Sequence, residues 1–181
     1  MTRFTIQVFF FVLGLLSASS VFCDEQGIMR GMAEAHNKVR AGVGLPGLFW
    51  SDDLAVFAQE WADSLAREKA CAMQHRPRPG KSEHGYGENL YWASAVRLSG
   101  GKREPQNVTP AKVVQSWVQE AADYTYATNS CRLGKPCGHY TQIVWQQTVK
   151  VGCGWAVCAD KSQIWVCNYD PPGNVIGQKP Y

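Results

Sequence analysis

Cysteine content constrains this chain more than any other feature. The sequence of 181 residues contains seven cysteines, and all but Cys23 lie beyond residue 70, at positions 71, 131, 137, 153, 158 and 167. The six cysteines beyond residue 70 are an even number, which in a secreted chain indicates a disulfide framework. Sequence alone does not choose among their pairings. Structural zinc sites use close pairs such as Cys-x-x-Cys, whereas five residues separate Cys131 from Cys137 and four separate Cys153 from Cys158. We therefore predict disulfides rather than structural zinc.

The amino-terminal segment has the parts of a secretory signal peptide. Arg3 is followed by an apolar run, VFFFVLGLL, at positions 8–16, and then by small residues before Asp24. This run is about half of the ~20 residues that a membrane-spanning helix needs. The pattern predicts that residues 1–23 are a cleaved signal peptide and that the mature protein is secreted and extracellular, with no membrane span.

Composition indicates one compact domain over residues 24–181. Charged residues make up 18% of the chain and hydrophobic residues 45%, which is too apolar for a disordered protein. The length suits a single core. The formal net charge is only +3, which gives no electrostatic reason to expect a nucleic-acid partner. We expect the domain to be monomeric.

Hydrophobic periodicity predicts helices early in the chain and strands in its last third. Helical spacing of apolar side chains occurs in three segments, at residues 28–39, 54–65 and 113–121. Alternation typical of strands occurs in three others, at residues 89–93, 149–155 and 163–169. The last two are joined by a short polar link and are predicted to form a hairpin. The predicted fold class is α+β, with helices packed on a small antiparallel sheet.

Two segments near the carboxyl end resemble the signature motifs of a known family. They read GHYTQIVWQQT from Gly138 and IWVCNYDPPGNV from Ile164, and upstream segments such as AHNKVR and GYGENLYW fall in the same family's order. The chain is similar over about residues 30–181 to the CAP superfamily of cysteine-rich secretory, antigen-five and pathogenesis-related class-one proteins. It is most similar to the plant pathogenesis-related group. The resemblance implies an α-β-α sandwich and an extracellular, defence-related role.

The same resemblance implies a disulfide pairing and a polar site. The implied disulfides are Cys71–Cys158, Cys131–Cys137 and Cys153–Cys167. Four residues match, one by one, the two histidines and two glutamates that line the central cleft of the family: His36, Glu88, Glu120 and His139. Glu120 also stands out by itself, because it lies on or beside the apolar stripe of a predicted helix, where a carboxylate must be paired, bound or solvated. His75 and His84 are expected in a solvated loop.

Two imidazoles and two carboxylates can hold a divalent ion such as zinc, or can form a hydrogen-bonded cluster without metal. No cofactor is required on this interpretation, and zinc is the metal that the donor set would accept. A metal-dependent hydrolase using these four residues is the alternative function. It would need an open ligand position and a separate base, and the chain has no His-Glu-x-x-His arrangement. We assign no catalytic residue and favour a binding role without catalysis.

Two further expectations follow from the resemblance. Tyr124 and Tyr126 lie in a region that some members of the family use for sterol or lipid binding, and exposed aromatic rings beside a cleft suit flat apolar ligands. The segment 171–181 resembles a plant carboxyl-terminal segment that is released as a signalling peptide. The simpler alternatives are core packing for the tyrosines and an ordinary packed chain end for the tail.

Overall fold

A computed structural model of the chain describes residue 25 and residues 27–77 and 85–181. The predicted signal peptide at residues 1–23 and His84 lie outside these described residues. The helices are α1 (Met32–Ala41), α2 (Asp52–Glu68), α3 (Pro110–Val118) and α4 (Gly138–Ile143). The strands are β1 (Phe49–Trp50), β2 (Gly87–Ala93), β3 (Val96–Arg97), β4 (Arg103–Glu104), β5 (Tyr124–Thr125), β6 (Ser130–Cys131), β7 (Lys150–Val157) and β8 (Gln163–Asp170). Short 3-10 helices occupy Gly27–Met29, Ser99–Gly101 and Gln119–Asp123.

Four strands form the main sheet, in the order β1-β7-β8-β2. β7 and β8 form the predicted antiparallel hairpin, with Cys153 opposite Cys167 and Trp155 opposite Trp165. β2 pairs antiparallel with the other side of β8, and the two-residue β1 adds in parallel to β7. A two-residue strand is too short to show a period, so β1 carries no signal in the sequence.

Helices cover both faces of this sheet. α2 packs on one face, where Ile164 and Val166 of β8 belong to the same apolar cluster as Trp61. α1, α3 and α4 lie on the other face, where Trp165 and Tyr169 of β8 are part of the larger cluster. Successive side chains of a strand point to opposite faces, so β8 contributes to both cores. The prediction of an α-β-α sandwich is confirmed.

Two glycines allow α2 to lie close to the sheet. A Cβ atom at Gly152 would collide with the main chain of Ser51 and Leu54, and one at Gly154 would collide with the main chain of Gln59. Because α2 lies so close to β7, the side chain of Gln59 forms two hydrogen bonds with the main chain of Trp155. Its amide nitrogen donates to the Trp155 carbonyl at 2.8 Å, and the Trp155 N–H donates back to Oε1 at 3.1 Å.

Two helices begin at capping side chains, and a third begins later than its apolar spacing predicts. The Ser51 and Thr109 hydroxyls accept main-chain hydrogen bonds at the first turns of α2 and α3. α1 begins at Met32 rather than at residue 28, because the preceding segment forms a 3-10 turn and Gly31 is left-handed. The Glu25 carboxylate caps this end by accepting from the N–H groups of Gly31, Met32 and Ala33.

All three implied disulfides are present: Cys71–Cys158, Cys131–Cys137 and Cys153–Cys167. The first fixes the loop after α2 to the end of β7, and the third crosses the β7–β8 hairpin. Within the described residues, none of the helices is both long and apolar enough to cross a bilayer.

Candidate functional site

His36 is buried in the core between α1 and the sheet. Its Nδ1 atom lies 2.8 Å from the Met32 carbonyl oxygen and its Nε2 atom 2.9 Å from the Tyr169 hydroxyl. A carbonyl only accepts, so Nδ1 carries the proton and Nε2 accepts from Tyr169. The Tyr169 oxygen in turn accepts from the amide nitrogen of Asn89 at 3.1 Å. Both imidazole nitrogens are therefore used inside the core.

Burial strongly lowers the pKa of the His36 imidazole. Desolvation lowers the pKa of His36 to about 4, the hydrogen bond to Met32 opposes this shift, and the charge of Arg40 adds to it. His36 is therefore neutral at physiological pH, which matches its role as donor to one partner and acceptor from another.

We expect this buried histidine to make the protein less stable in acid. Between pH 6.5 and about 4 the unfolded chain binds a proton at His36 that the folded chain excludes. The free energy of unfolding should fall through this window by about 3 kcal/mol. Chemical denaturation at pH 7 and pH 4 checks this, with His36→Gln as the comparison. A variant that loses as much stability as the wild type over this window would contradict the prediction.

Glu120 and His139 form a close pair on the same side of the sheet. Glu120 Oε1 lies 2.6 Å from His139 Nδ1, and Oε2 accepts from the His139 and Tyr140 N–H groups at 2.9 and 3.4 Å. Burial by itself would raise the pKa of Glu120, but these hydrogen bonds and the His139 charge together lower it. The His139 ring also stacks on Trp117, with ring centroids 6.1 Å apart and an interplanar angle of 14°.

Glu88 pairs with a histidine that the sequence analysis assigned to a solvated loop. Its Oε1 atom lies 2.7 Å from His75 Nδ1 and accepts from the Arg76 N–H at 3.1 Å. The Glu88 side chain is only 8% exposed, whereas that of His75 is 64% exposed. His75 is thus half in solvent, as expected for a loop, but it is also the direct partner of Glu88.

The four predicted ligands do not assemble into one donor set. His36 has Tyr169 and Met32 as partners, Glu120 has His139, and Glu88 has His75. Across the described parts of the chain, no three His, Cys, Asp or Glu side chains lie close enough together to hold a metal ion. The residues present therefore do not fit a zinc ion, and the zinc interpretation has no support in this geometry.

A cleft of about 560 Å³ opens beside the Glu88–His75 pair. One side carries Phe57 of α2, whose ring is covered by the Arg76 guanidinium at 3.8 Å and meets the edge of Tyr86 at a centroid distance of 5.2 Å. Gln142 and Asn168 also line the cleft, and the carboxyl-terminal residues Pro172, Gly173, Asn174 and Val175 form its other wall. Its size lies within the range of small-molecule sites in proteins.

The carboxyl-terminal wall is hydrogen-bonded to the body of the domain. The Gly173 N–H donates to Gln142 Oε1 at 2.9 Å, and the Thr141 hydroxyl donates to Asn174 Oδ1 at 2.7 Å. A Cβ atom on Gly173 would approach Gln142 Nε2 and Trp145 to 2.8 Å. The wall therefore has one well-defined position against α4.

Tyr124 and Tyr126 are occupied by other parts of the chain. The Tyr124 hydroxyl donates to Asn129 Oδ1 at 2.8 Å. The Tyr126 ring stacks on that of Tyr181 at a centroid distance of 4.9 Å, and Lys179 Nζ lies 4.3 Å from the same ring. Tyr126 thus packs against the chain end and Tyr124 is hydrogen-bonded to Asn129, and neither is among the residues that line the cleft.

Comparison with known proteins fits these structural features. A model of the cysteine-rich secretory protein family, abbreviated CAP, matches residues 33–169. The chain belongs to this family. Among curated CAP relatives, pathogenesis-related protein 1C of Nicotiana tabacum is 42% identical over 88% of this chain and 84% of its own length. Pathogenesis-related protein PR-1 of Medicago truncatula is 44% identical over 80% of this chain and 74% of its own.

A solved CAP structure agrees with the architecture. Venom allergen-like protein 4 of Schistosoma mansoni superposes with a TM-score of 0.59 at 27% identity, covering 83% of this chain and 91% of that one. The fold of this CAP domain is therefore shared beyond the plant relatives.

The sequence pattern did not indicate the cleft residues Phe57, Arg76, Gln142 and Asn168, and it did not indicate His75 as a partner of Glu88. His75 lies in an irregular segment, where no period marks which side chains meet. One signal was available. Cys71 lies four residues before His75, and its disulfide to Cys158 ties this segment to the end of β7. Because the disulfide fixes Cys71 beside the sheet, His75 was a candidate partner for Glu88 at the start of β2.

Proposed function

We propose that this protein is a secreted, extracellular, defence-related protein that acts by binding a small ligand in the cleft, without catalysis. The relatives named pathogenesis-related proteins support the defence role, and the three disulfides suit an oxidising compartment. The single observation that carries the binding role is the cleft of about 560 Å³, with its polar side chains, aromatic rings and hydrogen-bonded wall.

The test uses two neighbouring residues of the tail. Val175 lines the cleft, whereas Ile176 is fully exposed and does not. Val175→Trp should partly fill the cleft and abolish inhibition of fungal hyphal growth by the purified protein, because a ligand can no longer enter. Ile176→Trp, the matched control, should inhibit as the wild type does. Equal inhibition by both variants would show that the cleft is not needed, and no inhibition by the wild type would overturn the defence role.

A lipid is the second candidate ligand, and a separate groove favours it. This groove of about 330 Å³ lies between α1 and α3. Its apolar lining includes Ala35, Val39, Val114 and Val118, and Lys38 and Arg30 lie at its edge. Such a lining suits an acyl chain or a sterol better than the polar cleft does. Binding of cholesterol or palmitate there should be the same for Val175→Trp and the wild type.

The remaining alternatives have less structural support. A metal-dependent hydrolase would need a donor set that the described residues do not assemble. Release of residues 171–181 as a signalling peptide would require several hydrogen bonds to break. Gly173 and Asn174 form two of these hydrogen bonds. In addition, the Gln146 N–H donates to the Pro180 carbonyl at 2.6 Å, and the Asn129 amide donates to the Gln178 carbonyl at 2.8 Å.

A further inference from the structure

A buried amide oxygen lacks a partner at the base of the cleft. Asn168 of β8 is 2% exposed and lines the cleft. Its Nδ2 atom donates to the Gly87 carbonyl at 3.2 Å, which fixes the orientation of the amide, since only the nitrogen can donate to a carbonyl. Within the described part of the chain, Asn168 Oδ1 has no hydrogen-bond donor. Buried polar atoms are almost always paired, so this oxygen indicates a missing donor.

The charged side chains around this oxygen already have partners. Glu88, the cross-strand neighbour of Asn168, has His75 at 2.7 Å. Arg76 has Glu60 at 3.2 Å and donates to the Phe57 carbonyl at 2.8 Å. An added anion or cation would disturb one of these pairs and lose its own hydration. The cleft is therefore suited to a neutral ligand.

The polar side chains that line the cleft narrow the class of ligand further. A neutral ligand must donate a hydrogen bond to Asn168 Oδ1 while it lies beside Gln142 and Glu88, which already have partners. The hydrocarbon of an acyl chain offers no donor to Asn168 Oδ1, and a sterol offers a single hydroxyl. Hydroxyl groups both donate and accept, so a ring that carries several of them can satisfy neighbouring groups of both kinds.

We propose that the cleft binds a neutral carbohydrate and that one of its hydroxyl groups donates to Asn168 Oδ1. The inference rests on the proposed function, because it names the ligand class of the same cleft. It assigns Asn168 as the residue that selects a ligand with a hydrogen-bond donor.

The experiment is a titration of isotope-labelled, disulfide-bonded protein followed by nuclear magnetic resonance. The probes are three neutral trisaccharides: cellotriose, laminaritriose and N,N′,N″-triacetylchitotriose. At least one should shift the side-chain amide signals of Asn168 and the main-chain amide signals of Gly87 and Gly173. These signals come from the wild type, so this readout does not depend on any variant folding.

Two substitutions test the assignment of the oxygen. Asn168→Leu keeps the branched shape of the side chain and removes the acceptor together with the hydrogen bond to Gly87, and Val175→Trp narrows the cleft from the other wall. Each should weaken trisaccharide binding at least tenfold, while Ile176→Trp should not change it. Binding that is unchanged in a folded Asn168→Leu protein would overturn the role of this oxygen.

The outcomes separate this inference from the proposed function. If none of the trisaccharides shifts the Asn168, Gly87 and Gly173 signals, the carbohydrate class is wrong. The same holds if a neutral capped peptide, acetyl-Gly-Ser-Gly-amide, shifts them and the sugars do not. In either case, loss of hyphal inhibition in Val175→Trp alone would still support a ligand in the cleft. Failure of that growth assay, with sugar binding intact, would instead overturn the defence role.

Discussion

Replacing Cys71 and Cys158 together by alanine should lower the free energy of unfolding by about 4 to 5 kcal/mol. The disulfide joins residues 87 positions apart, and the entropy that such a long closed loop removes from the unfolded chain is about this large. The Cys131–Cys137 disulfide spans only 6 positions, so the same model gives about 2 kcal/mol for its removal. The long disulfide therefore contributes about twice as much as the short one.

Denaturant titration of the two double variants beside the wild type measures this difference. Both variants keep the other two disulfides, so the Cys131→Ala, Cys137→Ala protein is the matched control. Equal losses in the two would show that the effect does not follow loop length. The long disulfide also fixes the segment that carries His75 and Arg76, so its loss should weaken ligand binding in the cleft as well.

Replacing Arg40 by methionine should destabilise the fold by about 4 kcal/mol. Arg40 is completely buried, and its guanidinium donates to the carbonyls of Pro46, Ile143, Trp145 and Thr148 at 2.8 to 3.2 Å. These carbonyls lie at the end of α4 and in the loops around it. Methionine fills a similar volume without donating, and each buried carbonyl left without a donor costs about 1 to 3 kcal/mol. Removing the buried charge itself offsets part of that cost.

Lys38→Met on the same helix is the matched control for Arg40→Met. Lys38 pairs with Glu34 at 2.9 Å on the surface, and exposed pairs contribute at most about 1 kcal/mol. The free energies of unfolding, compared with that of the wild type, should therefore separate the two methionine variants clearly. A loss below about 1 kcal/mol for Arg40→Met would mean that water satisfies the four carbonyls and that the guanidinium does not organise this region.

Much of the fold is predictable from the sequence because its main elements have a strong period. The stripe from Leu54 to Leu65 identifies α2, and the alternation over residues 163–169 identifies β8. The short elements were not predicted. β1 has two residues and α4 only six, and both are held by the strands and helices around them. Their formation depends on tertiary contacts, which a local pattern does not contain.

The candidate site was predictable only in part, because a pattern shows the direction of a side chain but not its partners. Glu120 was expected to need pairing, solvation or a ligand, and it is paired with His139. His36 shares the apolar face of α1 with Met32, and the structure buries both. Glu88 and Asn89 are adjacent, yet strand alternation sends them to opposite faces of the sheet. One therefore meets His75 and the other meets Tyr169.

The carboxyl-terminal residues Pro172 to Val175 form one wall of the cleft. This position links the cleft to the fate of the chain end. These residues are also the first part of the segment 171–181. A chain cut after Asp170 would lose this wall together with the freed peptide, so release of the peptide would prevent binding of a ligand in the cleft. A ligand seated against the wall would protect the bond after Asp170 from a protease, and an empty cleft would leave it easier to cut.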